Sequence, residues 1–130
     1  VFLDTVGLLA VWDTSDQWHV VAEAAYLAMM ARSRTVVTTT FVLLECGNAA
    51  SRRTYRGDVC DLRRAMEQQG ALIAPSEDDC RAAWGAYERG EAGQAGPIDH
   101  VSFVVMKRLG ITEAFTNDRH FQAAGFTTLF

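Results

Sequence analysis

Long apolar runs, a cysteine framework and low-complexity tracts are all missing from this chain. No apolar stretch approaches the roughly 18–20 residues that cross a bilayer as a helix, which excludes a helical membrane span. Cysteine is scarce. Cys46, Cys60 and Cys80 are odd in number and nowhere form C-x-x-C. That argues against a disulfide scaffold or a zinc site and for buried free thiols in a reducing cytosol, so the expected location is cytoplasmic. No linker or internal repeat divides the sequence. An excess of positive charge is missing too. The formal net charge of −4 at first argues against nucleic acid as a partner. Net charge is a weak witness, however, because a local cluster of acids can hide a basic face elsewhere.

What is present is the composition of a soluble globular protein, with 49% hydrophobic and 22% charged residues. At 130 residues the chain is expected to form a single domain over residues 1–130. A domain of that size buries about 65–70% of the surface its unfolded chain exposes, enough to fold without disulfides or a structural metal. Val1 begins directly on an apolar strand, so an initiator Met and a residue or two are expected to precede it.

The pattern along the chain alternates between strands and helices. Val1–Leu3, the β-branched run Thr35–Thr39, Ala71–Ala74, Ala114–Thr116 and Thr127–Phe130 read as strands. Helical spacing covers Thr5–Trp12, and a second helix from about Gln17 to Arg32 can be capped by Ser15 or Asp16. Further helices are expected from Phe41 to Arg53, from Asp58 with Asp61 three residues later up to Gly70, and from the Ser76/Asp79 capping box to Arg89. Gly90–Gly96 reads as a loop. Pro97 opens a helix that Gly110 ends, and Arg119–Ala124 is a single short helix. Such alternation predicts an α/β fold with a central parallel sheet of about five strands and helices on both faces. Ligands of these sheets bind outside the carboxyl ends of the strands.

Acids stand there. Asp4 follows the first strand directly and Asp118 follows the fourth. Each alone reads equally well as a helix cap. Asp99 lies in the first turn of the Pro97 helix, where dipole stabilisation is an alternative, and Ser102 shares its face. Glu45 sits among Phe41, Val42, Leu43 and Leu44, so it is a buried charge needing a partner or part of a solvated stripe. Two carboxylates 4 Å apart repel by roughly 4 kcal/mol at an effective dielectric of 20. Four together therefore call for a cation, and oxygen-only ligands suit Mg2+ or Mn2+. Such a cage polarises a phosphoryl oxygen and activates water, the chemistry of a phosphodiesterase.

FLDT, LLECGNA, IDHVSFVVMKRLGI and FTNDRHF, taken in order, resemble the four acidic motifs of PIN-domain ribonucleases, and more narrowly of VapC-type toxins. The resemblance spans the chain. It implies a PIN-like three-layer α/β/α sandwich and Mg2+- or Mn2+-dependent endonuclease action on RNA. The matching acids are Asp4, Glu45, Asp99 and Asp118, with Thr5, Asn48, Ser102 and Thr116 as positioning or water-holding groups. It also implies a cognate antitoxin and a homodimer. Two features depart from the family pattern: the approach to Asp99 is glycine-rich, and His100 stands where a small residue is frequent. His100 reads as a surface histidine, with an effect on the metal or a contact to RNA as the alternative. His19 reads as structural, and Trp12 and Trp18 as core residues beside an antitoxin groove.

Arg52, Arg53, Arg56 and Arg119, with Arg63 and Arg64, form a candidate phosphate-binding rim, each also readable as a solvated helix surface. Rival readings fare worse. A haloacid-dehalogenase phosphatase wants a second Asp two residues after the first, where Val6 stands. A receiver domain wants an acidic pair after its first strand, whereas Asp78-Asp79 opens a helix. A non-cleaving PIN-like module would be expected to lack acids, and none is missing. A housekeeping RNA-processing nuclease remains the alternative within the family.

Overall fold

The computed structural model describes residues 1–130. Five short strands and seven helices follow one another as β1 (Phe2–Leu3), α1 (Thr5–Trp12), α2 (His19–Ala31), β2 (Thr38–Thr39), α3 (Thr40–Ala50), α4 (Arg56–Gln68), β3 (Leu72–Ile73), α5 (Glu77–Glu88), α6 (Pro97–Arg108), β4 (Glu113–Phe115), α7 (Arg119–Ala123) and β5 (Thr127–Thr128). Every pairing is parallel: β1 with β4, β4 with β5, and β2 with β3. A bridge between Phe2 and Val37 joins the two ladders, giving the spatial order β3-β2-β1-β4-β5. The expected α/β/α sandwich around a parallel sheet is thereby borne out.

This order places a topological switch at β1. The chain leaves β1 towards β2 on one side and returns later to β4 on the other, which opens a crevice between the carboxyl ends of β1 and β4. The register sets Leu3 opposite Phe115, so Asp4 and Thr116 leave the sheet side by side.

Packing holds this edge rigidly. Phe2, Leu3, Phe115 and Phe121 are essentially inaccessible, and Phe121 meets Phe103 edge-to-face at 4.9 Å. Phe121 thus pins α7 to the core, as its apolar character predicts. Gly7 lets α1 lie directly on β4, since a Cβ there would stand 2.1 Å from the Phe115 carbonyl oxygen. At the far end of the molecule the Ser76/Asp79 capping box forms as expected, with both reciprocal hydrogen bonds at 3.0 Å. Pro97 occupies the first turn of α6, and Gly110 beyond its end takes φ +67°.

Several local expectations are corrected. α4 starts at Arg56 with Tyr55 before it, so Asp58 lies inside the first turn instead of capping it. Asp16 accepts from the Trp18 amide at 2.7 Å, closing the turn ahead of α2 instead of capping the helix itself. The strand expected over Thr35–Thr39 shortens to Thr38–Thr39, because only the Val37 bridge and that pair find ladder partners. Cys46 is buried as expected, but Cys60 is exposed on α4 and Cys80 is half-buried. Trp18 is exposed, not core, while Trp12 is half-buried and stacks on Tyr55. His19 is structural, its Nδ1 lying 2.9 Å from the Ala10 carbonyl and tying α2 to α1.

Candidate metal centre

Asp4, Glu45, Asp99 and Asp118 come from four elements, and each has one oxygen anchored by a protein donor. Asp4, which caps α1, accepts on Oδ2 from the Thr116 hydroxyl at 2.8 Å and the Val6 amide at 3.3 Å. Asp118, which caps α7, accepts on Oδ1 from the His120 amide at 2.8 Å, with His120 Nδ1 2.9 Å from the same oxygen. Asp99 accepts on Oδ2 from the Gly96 amide at 2.9 Å, and Glu45 accepts on Oε2 from the Thr5 hydroxyl at 2.7 Å. The remaining oxygen of each acid makes no protein hydrogen bond of normal geometry. The protein donors thus occupy one oxygen of each acid and leave the other without a protein partner.

The hydroxyls tie the acids into one unit. Thr116 donates to Asp4 and accepts from the Asp118 amide at 3.1 Å, so a single buried side chain sets both carboxylates. Thr5, adjacent to Asp4 in the chain, orients Glu45 forty residues away. Ser102 is buried with its Oγ unpartnered, whereas Asn48 is exposed and makes no side-chain hydrogen bond.

The tightest cluster is Asp99, Asp118 and His120, whose ligand atoms lie within 4.8 Å of one another. Asp4 and Asp99 feel each other's charge, as do Asp99 and Asp118. Asp4 and Glu45 both lie outside this cluster: Thr116 links Asp4 to Asp118, while Glu45 is held by Thr5, the neighbour of Asp4 in the chain. Sequence reasoning passed over His120. The readable signal was its spacing, since a residue two past a helix cap lies in the first turn with its side chain free to fold back on the capping carboxylate.

Electrostatically the centre is unbalanced. No lysine or arginine pairs with any of the four acids. Burial, opposed in part by the Thr116 hydrogen bond and reinforced by Asp99, pushes the Asp4 carboxyl up to about 7. Burial and the Asp118 charge raise Asp99 as well, against the pull of the Gly96 amide. Cys46 beneath them is driven to about 12 by burial and by the charges of Asp4 and Glu45, so its thiol stays protonated. Carboxylate oxygens in excess, each with an unused lone pair, fit a hard divalent cation; an adjacent imidazole is compatible with one.

The expected basic rim is only partly available. Arg53 is bound to Asp13 and lies 5.7 Å from the Tyr55 ring centroid. Arg63 and Arg64 pair with Glu67 and Asp61 on their own helix. Arg52, Arg56 and Arg119 are exposed and make no ion pair. His100 is buried at 2% exposure, which overturns its reading as a surface histidine. It is enclosed between Tyr87 of α5 and Phe103 of its own helix.

The PIN domain family model matches residues 1–127, and the chain belongs to that family. Its structure is similar to that of Mycobacterium tuberculosis VapC20, described as a toxin that cleaves the sarcin–ricin loop, with a TM-score of 0.78 and 25% identity over 97% of this chain and 95% of the other. No curated protein matches the chain significantly. The VapC-type resemblance carried by the four motifs is borne out by the family match and this structural neighbour.

Proposed function

We propose that the chain is a Mg2+- or Mn2+-dependent endoribonuclease, the toxin of a type II toxin–antitoxin pair acting in the cytoplasm. The observation that carries this reading is the set of four carboxylates, each anchored on one oxygen and free on the other, with no cationic side chain to neutralise them. The PIN family match and the likeness to a toxin that cleaves the sarcin–ricin loop support RNA as the substrate.

Bound among these acids, a divalent ion would polarise the scissile phosphoryl oxygen and favour ionisation of an attacking water. Asp4, Asp99 and Asp118 would hold such an ion. Thr116 fixes two of these carboxylates, and His120 occupies Asp118 Oδ1, leaving Oδ2 without a protein partner. Glu45, oriented by Thr5 and with no hydrogen-bonded link to Asp99 or Asp118, would receive the water proton at Oε1. Arg52, Arg56 and Arg119 are the exposed cations that engage backbone phosphates. A cognate antitoxin chain and a second copy of the protein are the proposed protein partners.

The test is cleavage of total RNA by purified protein with Mg2+, with Mn2+ and with excess EDTA. Cleavage that persists equally in EDTA would sink the mechanism. Induction in a bacterial host should arrest growth and should be relieved by co-expressing the neighbouring small reading frame. Unaffected growth would count against the toxin role while leaving the nuclease chemistry intact.

A further inference from the structure

A cavity of about 440 Å³ opens between α5, the turn that follows it, α6 and α7. Its mouth carries the exposed Arg89, Glu91 and Lys107, its floor the buried His100 and Phe103, and its α7 side the exposed Ala123. His100 Nε2 is buried and has no hydrogen-bond partner. A polar atom left in that state costs about as much as a lost hydrogen bond, and the imidazole that carries it lines the cavity. The ring itself is flanked by edge contacts to Tyr87 at 6.1 Å and Phe103 at 5.6 Å.

Charge at the mouth favours an anion. Lys107 has no ion-pair partner, and Arg89 shares the single acid Glu91, leaving two cations against one carboxylate. A bare phosphate satisfies the mouth but leaves the apolar floor and the orphaned nitrogen unused. A nucleotide uses all three, because its base offers a flat apolar face with polar edges.

Position says which nucleotide. His100 follows Asp99 directly on α6, and Ala123 closes the short helix whose cap is Asp118. Both walls of the cavity therefore run out of the acidic centre, and Lys107 lies about 12 Å along α6 from Asp99 at the helical rise per residue. We infer that this cavity takes one nucleotide of the RNA strand flanking the cleaved phosphate, its base against Phe103 and the His100 imidazole and its phosphate at Lys107 and Arg89. The inference rests on the ribonuclease reading above and adds the position at which base identity is read.

The test uses the full chain in Mg2+ buffer, titrated with each of the four nucleoside 5′-monophosphates and with inorganic phosphate while backbone amide NMR shifts are followed. At least one nucleotide should bind saturably with shifts at residues 86–107 and 123–124, and inorganic phosphate should bind about tenfold more weakly or not at all. Lys107→Gln and Ala123→Leu, both at exposed positions, should each weaken that binding and raise the KM for RNA about tenfold, with kcat within about twofold of wild type. Phosphate binding as tightly as every nucleotide, an absence of saturable shifts at these residues, or a wild-type KM in both variants would each overturn the inference. Nucleotide binding here by a protein that cuts no RNA would overturn the nuclease reading instead. Cleavage by a protein that binds no nucleotide here would overturn this inference alone.

Discussion

Asp4 and Asp79 are both buried at 4% exposure, yet the protein treats them in opposite ways. Asp79 sits at the start of α5 inside a capping box, with the Arg108 guanidinium forked onto both its oxygens at 2.8 and 3.0 Å. That pairing, with the Ser76 amide, holds its carboxyl below the ordinary range despite burial. Asp4 has a hydroxyl and an amide but no cation, and its carboxyl rises to about 7. A buried charge left unpaired costs several kcal/mol unless something outside the chain neutralises it. Asp79 is complete within the fold. Asp4 has no such partner, and on the proposed reading a cation at the β1–β4 crevice would complete it.

The comparison breaks most visibly under charge removal. Asp4→Asn should lower metal-dependent RNA cleavage on the order of a thousandfold while making the metal-free protein more stable above pH 7. Asp79→Asn should do the reverse, leaving cleavage unchanged and costing about 2 kcal/mol in urea unfolding. If Asp4→Asn destabilised the metal-free chain as Asp79→Asn does, the two aspartates would share one structural role.

The pH dependence of stability without metal sharpens the same contrast. Asp4 in the folded chain binds its proton up to about 7, against an ordinary value of 3.8, so the folded state holds more protons between those limits. Its contribution is thus most favourable below that window and is lost as pH rises through it, by at most about 4 kcal/mol. Asp99, also raised, acts in the same direction. Asp79 is depressed, so its contribution is present above 3.8 and is lost as pH falls further. Urea unfolding in EDTA at pH 5 and pH 8 should show the wild type weaker at pH 8 and Asp4→Asn losing less, its remaining loss coming from Asp99. A wild type that gains stability from pH 5 to pH 8 would contradict the assignment.

The smallest effects separate free from occupied arginines. Arg119→Ala should raise the KM for RNA a few-fold and reduce the salt slope of binding by about one. Arg53→Ala should change either far less, because Arg53 is engaged by Asp13 and Tyr55. Equal salt slopes for both variants would mean that the Asp13 pairing opens on contact with RNA.

Much of this was legible in the sequence because it is local. An acid directly after an apolar strand, a Ser-x-x-Asp box and a Pro-to-Gly helix each declare themselves within a few residues. Thr116 was likewise a neighbour of the Asp118 it positions. What escaped depends on contacts distant in sequence. The pairing of Arg53 with Asp13 spans forty residues, and no helical spacing predicts it. His100 looked solvent-facing because it follows an acid at a helix start; the Tyr87 ring that buries it comes from another helix. His120 was visible but crowded among polar turn residues, and only its return to Asp118 Oδ1 gives it a place in the centre. The start of α4 was misplaced because Asp58 is a good cap by type, whereas the chain enters the helix two residues earlier, after Tyr55.

The central claim is that the acids at the β1–β4 crevice are unpaired because they hold a divalent cation. Thermal unfolding at pH 8 across a Mg2+ or Mn2+ titration tests it without recourse to activity. The wild type should gain melting temperature with rising metal concentration, as a ligand of the folded state requires, while Asp4→Asn and Asp118→Asn gain little. Equal gains in all three proteins, or none in the wild type, would contradict the account.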